Sequence, residues 1–254
     1  MVLAPLNEQL PPQERMATVI GHSELMMRIA TYVICYALVE CQELLKEERM
    51  SIAHALMQRV MTTHLCNHKL TKEGLVYEYK GEPFELHEEY KTMTLTRSVY
   101  EHLVMYYFLC EHPKNGEECH LVWKYWQSTG KSGEVVEEDG KREVRRVAYS
   151  QAWRYLFDND EMASFYRNLS MHCHPVYQGL MQYQEQGQSD EGNDGLPLYF
   201  SCRFLARLCW LFLRQIPNGR NIIRKEFSQR EQTLFYELVR LWQITTYLAV
   251  AWPR

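Results

Sequence analysis

The residues Phe165-Tyr166-Arg167-Asn168-Leu169-Ser170-Met171-His172-Cys173-His174-Pro175 place a guanidinium, a carboxamide, a hydroxyl and two imidazoles in one short stretch. A guanidinium fork matches the paired oxygens of a phosphate. An imidazole exchanges a proton near neutral pH and serves as a general acid or base. On a helix, Arg167 and His174 are two turns apart and share a face, while Arg167 and His172 share one only loosely. Pro175 has no N–H to give and disfavours helical geometry for His174, so the spacing predicts that the helix ends or kinks there. The chemistry of such a set is phosphate binding assisted by proton transfer.

Upstream, Arg97 and Glu101 stand four apart in a run that becomes almost wholly apolar toward Leu109. At that spacing they pair along a helix, and if the helix is central the pair is partly buried and needs further partners. Two roles are open for the downstream stretch. Arg167 and a histidine either act on a phosphate, or hold the helix break together with Glu101 as partner.

Arg167-Asn168 followed by His172 fits the R-N-x3-H form of the R-x(4–6)-H motif of HEPN domains (higher eukaryotes and prokaryotes nucleotide-binding), and His174 fits the long end of the same range. Arg97-Ser98-x2-Glu101 upstream and Ser170-x3-His174-Pro175 downstream resemble a group of bacterial helical proteins placed near HEPN families. The resemblance covers roughly residues 25–215. It implies a helical bundle, usually a homodimer, and often a metal-independent ribonuclease of a toxin or antiviral system, with the motif residues of two subunits in a shared cleft. Carried over, Arg167 would hold the scissile phosphate, His172 or His174 would act as acid or base, and Asn168 would orient backbone or phosphate. Arg97, Glu101 and Ser170 would support them. RNA, attacked by its own 2′-hydroxyl, would be the partner. The alternative is a non-catalytic helical module that binds a protein or a nucleotide, with the Arg/His motif structural.

Other constellations carry less. His64 and His68 lie one turn apart with Cys66 between them, but no acid stands as in H-E-x-x-H and no third ligand is spaced to match; surface histidines are expected. Cys110, His112, Cys119 and His120 have zinc-like chemistry without a zinc spacing. Cys173, flanked by imidazoles, is either an activated thiolate or a partly buried thiol. No phosphate loop or dinucleotide glycine fingerprint occurs, so neither a cofactor nor a metal is expected. Two basic stretches, Lys141/Arg142/Arg145/Arg146 with Arg154 and Arg214/Arg220/Arg224/Lys225 with Arg230, read as solvated surface or as phosphate-backbone contacts.

The elements that must position these residues are helices. Apolar residues make up 46% of the 254, against 12 Gly and 9 Pro, too few turn residues for an all-β chain. Apolar periodicity predicts helices over 24–48 with Ser23 as N-cap, 52–70 with Ser51 as cap, 85–111, 117–127, 148–157, 176–186, 198–215 and 225–249. The expected architecture is all-α, a multi-helix bundle with a four-helix-type core and added helices. Residues 1–22 read as a loose leader, 23–254 as one domain, and the connector 128–147 and the loop 187–197 as mobile. The net charge of −4 gives no global case for nucleic acid. Eight scattered cysteines, no secretory signal and no confident membrane span read as a cytoplasmic protein with reduced thiols.

Overall fold

The structure, a computed structural model, describes residues 11–73, 76–85, 89–156, 166, 167, 169, 170 and 195–240. Helix α1 (Pro12–Glu40) opens with a proline at its first turn, where the missing N–H is not needed. A short 3-10 turn, Leu44–Lys46, leads into α2 (Glu48–Glu73). Strands β1 (Val76–Tyr79) and β2 (Glu82–Glu85) form a hairpin turning at Lys80 and Gly81. Helix α3 (Glu89–Tyr106) runs on into a π-helical turn, Tyr107–Glu111. Helix α4 (Gly116–Thr129) is capped by Asn115, whose side chain accepts from the Glu118 N–H, and stopped by Gly130 in the left-handed region. Strands β3 (Gly133–Glu138) and β4 (Lys141–Arg146) make a second hairpin, followed by α5 (Tyr149–Leu156). After the segment holding Tyr166 and Arg167 come α6 (Leu196–Leu213), α7 (Gly219–Glu226) and α8 (Gln229–Val239).

The class is all-α, and α6 is its centre. It packs against α1, α2 and α3, of which α2 also packs on the other two, and α8 closes over its far side. Phe200, Phe204, Leu205, Leu208 and Phe212 of α6 are fully buried against Leu25, Ile29, Val33, Met57 and Leu103. By length and composition α6 is apolar enough to cross a membrane, yet 83% of it is buried inside the fold.

Three expectations are corrected. The leader does not extend to residue 22, because the helix begins at Pro12 and Val19 is already core. Ser23 is therefore an interior helical residue with no cap role. Ser51 likewise lies inside α2 rather than at its cap. The connector 128–147 is an antiparallel hairpin, with Val135 opposite Val144 and Glu137 opposite Arg142. Its turn is Asp139-Gly140, both at positive φ, and Asp-Gly is a strong short-range hairpin signal. The charges of the hairpin are paired: Arg142 reaches Glu117 of α4 at 2.8 Å and Glu137 on the opposite strand at 3.7 Å, and Arg145 bonds Glu138. Residues 176–186 and 187–194 lie outside the described residues, as do 241–249 of the final helix, which is divided into α7 and α8.

Gly219 starts α7 tightly against the end of α6. A Cβ there would stand 2.0 Å from the Leu213 carbonyl oxygen and 2.8 Å from Ile216 Cγ1, so backbone must move. Gly219→Ala should lose about 1–3 kcal/mol in urea denaturation. Gly116→Ala, with nothing within 4 Å of its Cβ, should be neutral or slightly stabilising, and equal losses in both variants would refute this packing.

Candidate functional site

Tyr166, Arg167, Leu169 and Ser170 are helical. The helical period turns Tyr166 and Leu169, three apart, to the same side, and both are buried. Arg167 faces out and is exposed. Asn168, His172 and His174 lie outside the described residues.

The anchor of this segment is Glu101. Its Oε1 accepts from Arg97 Nε at 2.7 Å and from the Tyr166 hydroxyl at 3.0 Å. The Arg97 guanidinium also lies 5.7 Å over the Tyr166 ring, a geometry in which cation and ring quadrupole attract. Tyr166 packs on Tyr100 with ring centroids 5.1 Å apart, and the Tyr100 hydroxyl donates to the Tyr149 carbonyl at 2.9 Å. Ser170, one turn on, offsets part of the rise in the Tyr166 pKa. Burial first, then the Glu101 charge, pushes the Tyr166 phenol up to about 12, so it stays a proton donor to Glu101. The expected Arg97–Glu101 pair is present, partly buried and completed by a third partner, as a desolvated pair requires.

Arg167 does not take Glu101. It makes no hydrogen bond or ion pair among the described residues. The arrangement thus brings together Arg97, Glu101, Ser170 and the base of Arg167. Tyr166, which carries the anchoring contact, was passed over by sequence reasoning. The available signal was its position one residue before Arg167, where the helical period turns its ring toward α3.

A second cluster lies inside the bundle. Ser23 Oγ is 2.9 Å from His64 Nε2 and 3.0 Å from His68 Nδ1, and His64 Nδ1 is 2.7 Å from Ser201 Oγ. Asn67 donates to the Thr96 hydroxyl at 2.9 Å, which donates to the Pro197 carbonyl at 2.8 Å. His64 and His68 are therefore buried, not the surface pair expected. Burial, then the neighbouring His68, drives His64 down to about 3. A neutral imidazole has one N–H and one lone pair, so His64 donates to one hydroxyl and accepts from the other. Ser23, His64 and Ser201 are sealed from solvent, which denies a substrate access.

The remaining sets are structural. No group of three or more His, Cys, Asp or Glu side chains with metal-holding geometry occurs among the described residues. Cys110 is a buried thiol pushed up to about 12 by desolvation. His112 packs among Tyr107, Phe108 and Tyr155, 3.8 Å from Glu134. Cys173 lies outside the described residues.

No family model, no curated protein and no solved structure matches this chain.

Two outcomes follow. Tyr166→Phe removes one hydrogen bond to a carboxylate and should lower stability by about 1.5–3 kcal/mol in denaturant unfolding; no change would show that Tyr166 is not the anchor. His64, depressed from 6.5 to about 3, takes up a proton more readily unfolded than folded. Its contribution is complete above the unfolded value of 6.5 and is lost as pH falls toward 3. Wild type should lose about 2 kcal/mol from this group between pH 7 and 5, and His64→Gln should flatten that decline; parallel pH profiles would exclude His64 as its source.

Proposed function

We propose that this protein is a HEPN-like, metal-independent ribonuclease in which Arg167 holds the scissile phosphate and His172 or His174 moves the proton. The observation that supports this is the division of labour along one helical turn. Tyr166 is buried and occupies Glu101, whereas Arg167 is exposed and unpaired among the described residues. A purely structural role called for Arg167 to be buried and satisfied by Glu101 or backbone carbonyls; it is exposed, and Glu101 is already shared by Arg97 and Tyr166.

In this reading Arg167 forms two parallel N–H···O bonds to the non-bridging oxygens and stabilises the charge that grows on them. A neutral imidazole takes the 2′-hydroxyl proton as that oxygen attacks phosphorus. An imidazolium, supplied by the second histidine or a second subunit, gives a proton to the departing 5′-oxygen. The products are a 2′,3′-cyclic phosphate and a 5′-hydroxyl. DNA, without the attacking hydroxyl, is spared. A homodimer that pairs two motifs in one cleft fits the same chemistry.

The test is cleavage of single-stranded RNA by the purified chain in EDTA, with a DNA oligonucleotide of the same sequence alongside. RNA should be cut and DNA left intact. Arg167→Ala should lower the rate at least 100-fold with an unchanged melting temperature, since Arg167 is exposed and has no partner to lose among the described residues. Of His172→Ala and His174→Ala, the one that abolishes cleavage is the working histidine. An RNA that stays intact with folded wild-type protein, in dimer-forming conditions, would overturn the reading.

A further inference from the structure

Helix α6 is buried except along one line. Of Leu196–Leu213, only Tyr199, Arg207 and Trp210 are not buried. With Arg203 before and Arg214 after, the positions 199, 203, 207, 210 and 214 advance by four, four, three and four, which is a single stripe on a helix. The stripe carries two aromatic rings and three guanidinium groups.

Its members are not equally engaged. Arg203 is buried and occupied, donating to the Tyr199 hydroxyl and the Arg240 carbonyl. Arg207 makes no hydrogen bond or ion pair among the described residues, and its Nε is buried without an acceptor. Arg214 stands 3.2 Å from Glu111, a carboxylate also bound by Gln215 at 2.7 Å. From α7, Arg220 lies 6.0 Å over the Trp210 ring, and Arg224 follows one turn later, exposed. A guanidinium held over an indole by the ring quadrupole keeps N–H groups available to donate. The close approach at Gly219 starts α7 against the end of α6, one residue before Arg220.

Four guanidinium groups, Arg207, Arg214, Arg220 and Arg224, are thus gathered with Glu111 as their paired acid among the described residues. Burial and the adjacent Arg214 both press on the Arg207 charge, with Tyr107 and Glu111 offsetting in part; an anion beside it would relieve that strain. Arg207 and Arg214 are separated by seven residues, roughly 10 Å along the helix, more than one phosphate group spans. Interleaved rings and cations in a line are the composition that tracks a single strand.

We propose that the α6 stripe, extended by Arg220 and Arg224 of α7, binds the phosphodiester backbone of single-stranded nucleic acid without regard to sequence. The site takes DNA and RNA alike, because nothing in it addresses a 2′-hydroxyl. It does not depend on Arg167 or on cleavage.

The experiment is fluorescence anisotropy of a labelled 15-nucleotide single-stranded DNA titrated with the full chain in EDTA, at 50 to 200 mM salt. DNA is the probe because the ribonuclease reading leaves it intact, so the two proposals fail separately. Arg207→Gln/Arg220→Gln should bind at least tenfold more weakly and lower the salt slope by about 1.4, at roughly 0.7 per lost phosphate contact on a single strand. Arg59→Gln, at an exposed position of α2 outside the stripe, should bind as wild type. If the first double variant melts early, Arg220→Gln/Arg224→Gln, at exposed positions, must show the same loss. Unchanged affinity and slope in a folded double variant overturn the proposal. So does displacement of the oligonucleotide by inorganic phosphate or a mononucleotide at equal phosphate concentration, or equal binding of a duplex of the same length.

Discussion

A helix as apolar as Leu196–Leu213 has to be surrounded, and the packing of α1, α2 and α3 about it organises everything else. Each fully buried Leu or Phe side chain contributes about 1.5–3 kcal/mol, and α6 holds many of them at zero exposure. The same helix carries arginines at one angular position. A guanidinium enclosed without partners costs several kcal/mol, so α8 covers that side only in part, with Tyr236 against Trp210. Arg203 is enclosed only because Tyr199 and the Arg240 carbonyl receive it. The stripe below it stays open. One helix is therefore both the centre of the core and the bearer of a cationic surface, and the second role follows from the energetic limits on the first.

Within the dry part of the bundle, the Ser23, His64, His68 and Ser201 network restricts how the helices slide. An apolar interface tolerates small shifts of register, since dispersion contacts are non-directional. Hydrogen bonds of 2.7–3.0 Å between α1, α2 and α6 do not. The net gain per bond is only about 0.5–1.5 kcal/mol, but a buried donor or acceptor left unmade loses more than that. The network penalises alternatives more than it stabilises the native packing. The Asn67–Thr96–Pro197 chain does the same between α2, α3 and the first turn of α6.

Helix α3 serves as a platform for chemistry at two levels. Near its middle, Glu101 gathers Arg97 and Tyr166 and so fixes the turn from which Arg167 projects. Near its end, the π-helical turn Tyr107–Glu111 places Glu111 against Arg214 and Gln215. A single-turn π segment displaces the following side chains relative to an α-helix, which is how an apolar helix end delivers a carboxylate to α6. Glu101 and Glu111 each keep a set of cations in order, and each leaves one neighbouring arginine, Arg167 or Arg207, without a carboxylate of its own among the described residues.

The sequence by itself determined the all-α class and most of the helices. Apolar spacing at the helical period located α2, α3, α4, α5 and α6 to within a few residues, because that spacing is local and needs no partner. It also showed that Arg97 and Glu101 could pair, four residues apart on one helix. It was less informative where a polar residue can serve two purposes. Ser23 has the chemistry of an N-cap and of a buried hydrogen-bonding hub, and only the presence of His64 and His68, more than 40 residues away, selects the second. Asp139-Gly140 announced a hairpin, but charge runs have the same composition in a loop and in a pair of ion-paired strands. What tertiary structure alone decided is which distant residues meet: Tyr166 with Glu101 across 65 positions, His64 with Ser201 across 137. The helical period tells which face a residue occupies, while the neighbour on that face is chosen by how whole helices pack, a long-range outcome that no local spacing encodes.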